Sequence, residues 1–327
     1  MVRQTPWIEV YPLKDLGGRF PLRIVNSNAR VSLNKELSDY CDVQWKPKAK
    51  KGWKSSWLAF AKNLKYSFDG EGMLAKVDVG AMPFFQDDGI VKSIEENQPF
   101  APEQGYVNSL SVGFLTATKD GYVIFQRRAP DVHCPNILIH EPCGYMASMA
   151  FAPRAECDLE KYAGDERLFD LKTQYEFRRN EIAKTFGVSP ESVFYDSSQD
   201  LLAAGWMTKE MYFSTTGKID VKKSELALPE NQEVFFVPFE QVKDLIYNQS
   251  RLSKVDANGY RPSDAREIPL IDESLIGLIY GYEKMTGDKL DVKDTIARLN
   301  RGGMDIRVHP VWGEDDFGAE YQFQTSF

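Results

Sequence analysis

The chain has 327 residues, 43% of them hydrophobic and 27% charged, enough for one large or two smaller globular domains with a sizeable core. With 48 acidic against 40 basic side chains the net charge is −8, which argues against a broad electrostatic grip on nucleic acid or an anionic membrane but leaves room for a local basic site. Four cysteines in this length do not make a disulfide framework, and no stretch approaches the roughly 20 apolar residues of a bilayer span, so a reduced, cytoplasmic protein is expected.

In chain order, residues 1–105 form an N-terminal region rich in Trp, Phe and turn residues, expected to pack on or cap a core domain at 106–327. The run "KPKAKKGWKSSW" (Lys46–Trp57) is locally basic with two tryptophans. It reads as a solvated loop or helix start with Trp anchored in the core, rather than as a stacking platform for nucleic acid. "MLAKVDVGAMPFF" (Met73–Phe85) reads as a strand leading to an aromatic pair, and Asp87–Gly105, broken by Pro99, Pro102 and Gly105, as a connector. Next comes the clearest local signal, "NSLSVGFLTATKDGYVIFQRR", in which an Asp120-Gly121 turn separates two apolar runs and predicts a β-hairpin. A short strand is expected at Ile137–His140, before Pro142-Cys143-Gly144.

The strongest helix pattern is "GDERLFDLKTQYEFRRNEIAKTFGV". Asp165 is placed to cap it, Leu168, Leu171, Tyr175, Ile182 and Phe186 recur on one face, and Gly187 ends it. Strands are read at "SVFYDS" and "KEMYFSTTG", a strand running into a helix at "EVFFVPFEQVKDLIYN", and a further helix at "DESLIGLIYGYEKMTG". Three strands, a helix, two strands and a helix predict a mixed sheet with helices packed on it, not a series of βαβ units.

These residues, in this order, resemble the Nudix hydrolase superfamily, whose box reads G-x5-E-x7-R-E-U-x-E-E-x-G-U with U a bulky apolar residue. Pro142-Cys143-Gly144 is similar to the Pro-Gly-Gly that opens the box. Gly187-Val188 falls on the closing Gly-apolar pair, and Asn180-Glu181-Ile182 on Arg-Glu-apolar. The interval from Gly144 to Asn180 is longer than the box allows, which is similar to a subgroup related to UDP-sugar hydrolases that carries an enlarged box behind a sizeable N-terminal region. The resemblance implies a Nudix-type α/β/α sandwich with a mixed sheet, preceded by the N-terminal region. It further implies Mg2+ or Mn2+ as cofactor and a small-molecule nucleoside diphosphate derivative, such as a nucleotide sugar, as substrate.

The chemistry behind that box is attack of water on a phosphorus bearing negative oxygens, which a divalent cation screens while lowering the pKa of a bound water. Magnesium prefers oxygen ligands, and one helix face supplies several carboxylates only at i, i+3 and i+4. Glu181 retains the first position, as metal ligand or base, but Lys184 and Thr185 stand where the paired acids belong, and Glu176 lies about 140° around the helix. Three readings follow. Acids elsewhere, such as Glu141, Asp170, Glu230 or Glu233, complete the metal site; or Lys184 replaces a metal as a fixed positive charge; or the protein is a catalytically inactive Nudix-fold binder of a nucleotide, an RNA or another protein.

Arginine forks suit diphosphate oxygens, so Arg127 and Arg128 at the end of the hairpin are candidate substrate ligands, and strand alternation points only one of them inward. Gly144 is expected to let backbone pass close to the site. Phe85, with Phe84, is a candidate for stacking a base, against the plainer reading of core packing. His133, Cys134, His140 and Cys143 cluster in sequence but do not have a recognised zinc spacing. The geometric expectation underlying the whole assignment is that Gly144 and Glu181 meet in space.

Overall fold

A computed structural model of the protein describes residues 5–13, 22–68, 73–130, 134–140, 142–146, 171–196, 201–252, 264–309 and 320–327. Asp165, Asp170, Glu141 and His133, all named above, lie outside the described residues.

The predicted hairpin forms the centre of the fold. Strand β5 (Leu110–Thr118) turns at Gly121, with φ +86°, into β6 (Tyr122–Arg127). Every residue of β5 is buried, because both of its faces are covered. β5 pairs in parallel with β11 (Met211–Ile219) over its whole length. Outward from β11 follow β10 (Leu201–Gly205), β1 (Trp7–Pro12) and β13 (Asp305–Val308); on the other side β6 is flanked by β12 (Val234–Pro238). The short strands β7 (Leu138–His140), β8 (Cys143–Tyr145) and β9 (Val193–Tyr195) pair with β6, β5 and β11. Among the described residues these ten strands make one mixed sheet.

Alternation along β5 divides the core. Leu115 faces the helices α4 (Phe239–Leu252), α5 (Asp272–Thr286) and α6 (Val292–Arg301), packing with Ile276, Ile279 and Tyr282. Val112 and Phe114 face the other way, toward α3 (Leu171–Phe186), through Tyr175, and toward a second sheet. That sheet has the order β14 (Glu320–Gln322), β3 (Trp57–Phe68), β4 (Met73–Pro83), β2 (Leu22–Arg30). Its outer side is covered by α1 (Lys35–Lys50) and α2 (Phe84–Glu95), through Leu37, Cys41 and Ile90. The mixed α/β class is as expected, with helices on one face of the main sheet and α3 plus the second sheet on the other.

Several differences from the sequence reading have clear causes. The expected connector after residue 87 begins as helix: α2 buries Asp87, Ile90 and Val91 at helical spacing, which outweighs the polar run that follows. The basic run Lys46–Trp57 divides: its first five residues end α1, which tolerates Pro47, Trp53 is exposed beneath the Lys48 ammonium, and Trp57 opens β3 and packs on the core as expected. β10, whose "LLAAG" is fully buried, and β1 lie in the main sheet although neither alternates. The chain ends are exchanged: β1 from the N-terminal region belongs to the main sheet, and β14 from the tail pairs with β3. Direct backbone bonds also join the two sheets, from Ala59 N–H to the Met146 carbonyl and from Ala61 N–H to the Asn108 carbonyl.

Candidate functional site

Strand β8 and helix α3 meet on the face of the main sheet that also carries the second sheet. Gly144 has φ +154°, a conformation L side chains rarely adopt, and a Cβ placed there would stand 2.6 Å from Nη2 of Arg178. Arg178 is buried, donates through Nη1 to Oε2 of Glu181 at 2.6 Å, and reaches the Tyr145 carbonyl with Nη2 at 3.4 Å. One arginine fork therefore connects the glycine turn to the helix glutamate. The Glu181 side chain is 42% exposed, so its carboxylate combines an internal partner with access to solvent.

Helical geometry sorts the rest of α3. Gln174, Arg178, Ile182 and Phe186 are buried. Phe177, Glu181 and Lys184 lie along one partly or fully exposed flank at i, i+4 and i+7. Phe177 is an exposed aromatic ring with the Arg178 guanidinium 5.2 Å from its centre. The helix ends at Gly187, φ +64°.

Beside Gly144, Tyr145 makes a second polar connection. Its hydroxyl lies 2.9 Å from Oδ2 of Asp87 on α2 and 2.5 Å from Oε1 of Glu210. Burial, then the two carboxylates, hold this phenol far above its ordinary pKa, so it stays protonated and donating. Phe84 packs edge-on against the same ring at 5.8 Å, whereas Phe85 is half-buried and turns toward Trp45, with ring centres 6.3 Å apart.

The two hairpin arginines part as alternation requires. Arg127 is buried, bonded to Glu233 at 2.9 Å and set against the Phe235 ring. It shares its side of β6 with Phe125, whose cluster belongs to α4 and α5. Ile124, of the opposite parity, packs against Ile182 and Phe186 of α3, and Arg128, half-buried, shares that parity. Of the two, Arg128 is therefore on the face of α3. Glu233, named above as a possible metal ligand, is committed to Arg127.

The described residues do not fit a magnesium cluster. Glu181 has a guanidinium as its nearest partner, its i+3 and i+4 neighbours are an ammonium and a hydroxyl, and among the described residues no group of three or more His, Cys, Asp or Glu converges. Nor do the remaining Cys and His of the 133–143 segment assemble for zinc. His140 is buried on the opposite face of the sheet, where its Nδ1 is 2.7 Å from the Ser274 hydroxyl, and burial lowers its pKa to about 3. Cys134 instead donates to the Met207 carbonyl.

Arg178, Tyr145, Asp87, Glu210 and the exposed face of Phe177 are not singled out as site residues by the sequence. Arg178 had a signal: it stands three residues before Glu181, the spacing of an intrahelical ion pair. Asp87 and Glu210 had none, because they reach Tyr145 only through the docking of α2 and of the β10–β11 turn.

No family model matches the chain, and no curated protein matches it. Among solved structures, a Nudix hydrolase from M. Smegmatis, RenU, aligns over 58% of this chain and 90% of its own at 17% identity, with a TM-score of 0.26. No helix among the described residues is long and apolar enough to cross a membrane.

Proposed function

We propose that the protein binds a nucleoside diphosphate derivative along the Phe177–Glu181–Lys184 flank of α3, on a Nudix-like scaffold, with a fixed ammonium standing where the related enzymes place metal-binding acids. The observation that carries this reading is the Gly144–Arg178–Glu181 contact. It fixes the box-like glycine against the helix and neutralises its one remaining carboxylate with an internal cation. Supporting it are the order of elements, hairpin, glycine turn, long helix, and the replacement of both paired acids by Lys184 and Thr185.

Each residue then has a physical task. The Lys184 ammonium meets phosphate oxygens as a compact point charge. The Glu181 oxygen left free of Arg178 accepts from a ligand hydroxyl, and the exposed Phe177 ring offers a stacking surface. Arg178 is a positioning residue, because it is buried and acts through Glu181 and the β8 carbonyl. Arg128, on the same side of β6, is the hairpin arginine assigned to the diphosphate.

The second reading, metal-dependent pyrophosphohydrolysis, is favoured by the partial exposure of Glu181 beside Gly144. Incubation with Mg2+ or Mn2+ and a panel of nucleotide sugars, ADP-ribose and dinucleotides separates the two. The binding reading expects calorimetric binding of a panel member with no turnover. Metal-dependent release of nucleotide that disappears in Glu181→Gln would replace it with the hydrolase.

A further inference from the structure

The face of the main sheet opposite α3 opens, beside the last turn of α5, into a cleft of about 490 Å³. That volume is in the range of small-molecule sites, about 300–1,000 Å³. Strand register decides what enters it. β9 runs antiparallel to β11 with Tyr195 opposite Gly217 and Phe194 opposite Lys218. Tyr195 turns to the α3 side, over Gly217 and onto Phe114 with ring centres 4.4 Å apart. Phe194 and Lys218 must therefore project together to the other side, as a directly opposed cross-strand pair.

The result is a cleft with one aromatic wall and a cationic lining. Phe194 is 56% exposed, a large ring at the rim that folding leaves in water. Lys218 is exposed and has no ion pair among the described residues. Lys284, from α5, lines the interior with its ammonium 2.7 Å from Asp196, and Lys119 stands at the mouth 3.1 Å from Asp220. Three ammonium groups thus face two carboxylates, a local positive excess in a chain of net charge −8. Phe239 and Met285 complete the apolar side.

We propose that this cleft binds a small planar aromatic anion, its ring on Phe194 and its anionic group between Lys218 and Lys284. The site is on the opposite face from the α3 flank, and the inference stands independently of the function proposed there. An aromatic ring covers the exposed Phe194 face, while the anion gives Lys218 the partner it lacks and shares Lys284 with Asp196.

Adenosine 5′-monophosphate is the probe, with adenosine as the uncharged control, titrated calorimetrically into the full chain. Binding is expected with Kd below about 1 mM for the nucleotide and affinity about tenfold weaker for the nucleoside. Phe194→Ser and Lys218→Glu, both at exposed positions, each weaken nucleotide binding by about tenfold or more with unchanged thermal midpoints. Lys293→Glu, exposed on α6 and outside both sites, leaves it within about twofold. Three results overturn the proposal: no binding heat up to about 10 mM, equal affinity for nucleotide and nucleoside, or loss of binding in Lys293→Glu with Phe194→Ser unaffected.

Discussion

Gly144→Ala is the substitution in which backbone, packing and site are coupled most tightly. The new methyl would stand 2.6 Å from Nη2 of Arg178 and 3.2 Å from both Cζ and Nη1, so the guanidinium has to retreat by close to an ångström. Its 2.6 Å bond to Glu181 and its longer contact to the Tyr145 carbonyl do not survive that retreat. Holding an L residue at φ +154° costs about 1–2 kcal/mol. Losing an ion pair whose carboxylate is partly solvated costs about 0.5–1 kcal/mol, because water screens it. The sum, about 1.5–3 kcal/mol, lowers the thermal midpoint of a chain this size by about 2–4 °C. Differential scanning calorimetry reads the midpoint, and titration with a nucleoside diphosphate sugar reads the site, where affinity is expected to fall with stability. A Gly144→Ala protein that melts within about 1 °C of the parent and binds the same ligand equally well would refute the argument that this glycine seats Arg178.

Other expectations follow from the same contacts. Gly113→Ala is more severe, because its methyl would overlap the His140 ring and the Glu273 carboxyl, both buried; a loss of about 3 kcal/mol or more, read by chemical denaturation, is expected. His140 is held neutral, its pKa lowered from the ordinary value of 6.5 to about 3, so the unfolded chain binds a proton there that the folded chain refuses. Its contribution is present above pH 6.5 and is lost as pH falls toward 3, at about 1.4 kcal/mol per unit. Asp272, whose buried carboxyl is raised, works in the opposite sense, so the test is the difference in acid slope between the parent and His140→Asn; identical slopes would contradict the assignment. Arg127→Met and Arg128→Met should differ in kind. The first removes the Glu233 pair on the far side of β6 and costs about 1 kcal/mol of stability with ligand affinity intact, while the second weakens ligand binding by about fivefold.

Elements with strong local signals were legible. The Asp-Gly turn fixed the β5–β6 hairpin, and apolar spacing with a closing glycine located α3 and α5. What escaped was set by distant partners. β10 and β1 are buried along their whole length because both faces are covered, Glu9 of β1 included, so they lack the in-and-out alternation that marks a half-buried strand. The exchange of β1 and β14 between the sheets leaves no trace in any local window, because each finds its partners across most of the chain. Within the site, Glu181, Lys184 and Gly144 are named through the resemblance of their motif to the Nudix box, whereas the Asp87–Tyr145–Glu210 connection exists only once α2 has docked. Alternation predicted that the hairpin arginines diverge, but only the packing of Ile124 on α3 shows which one shares the helix face.

The central claim is that Lys184 supplies the positive charge for a diphosphate on the Glu181 flank of α3. It is tested most directly by titrating a nucleoside diphosphate sugar, without divalent metal, into the parent protein and Lys184→Glu. Binding by the parent is expected to weaken about tenfold or more on charge reversal, with an unchanged melting temperature because Lys184 is exposed. Equal affinity in the two proteins, or binding by the parent only when metal is added, would contradict it.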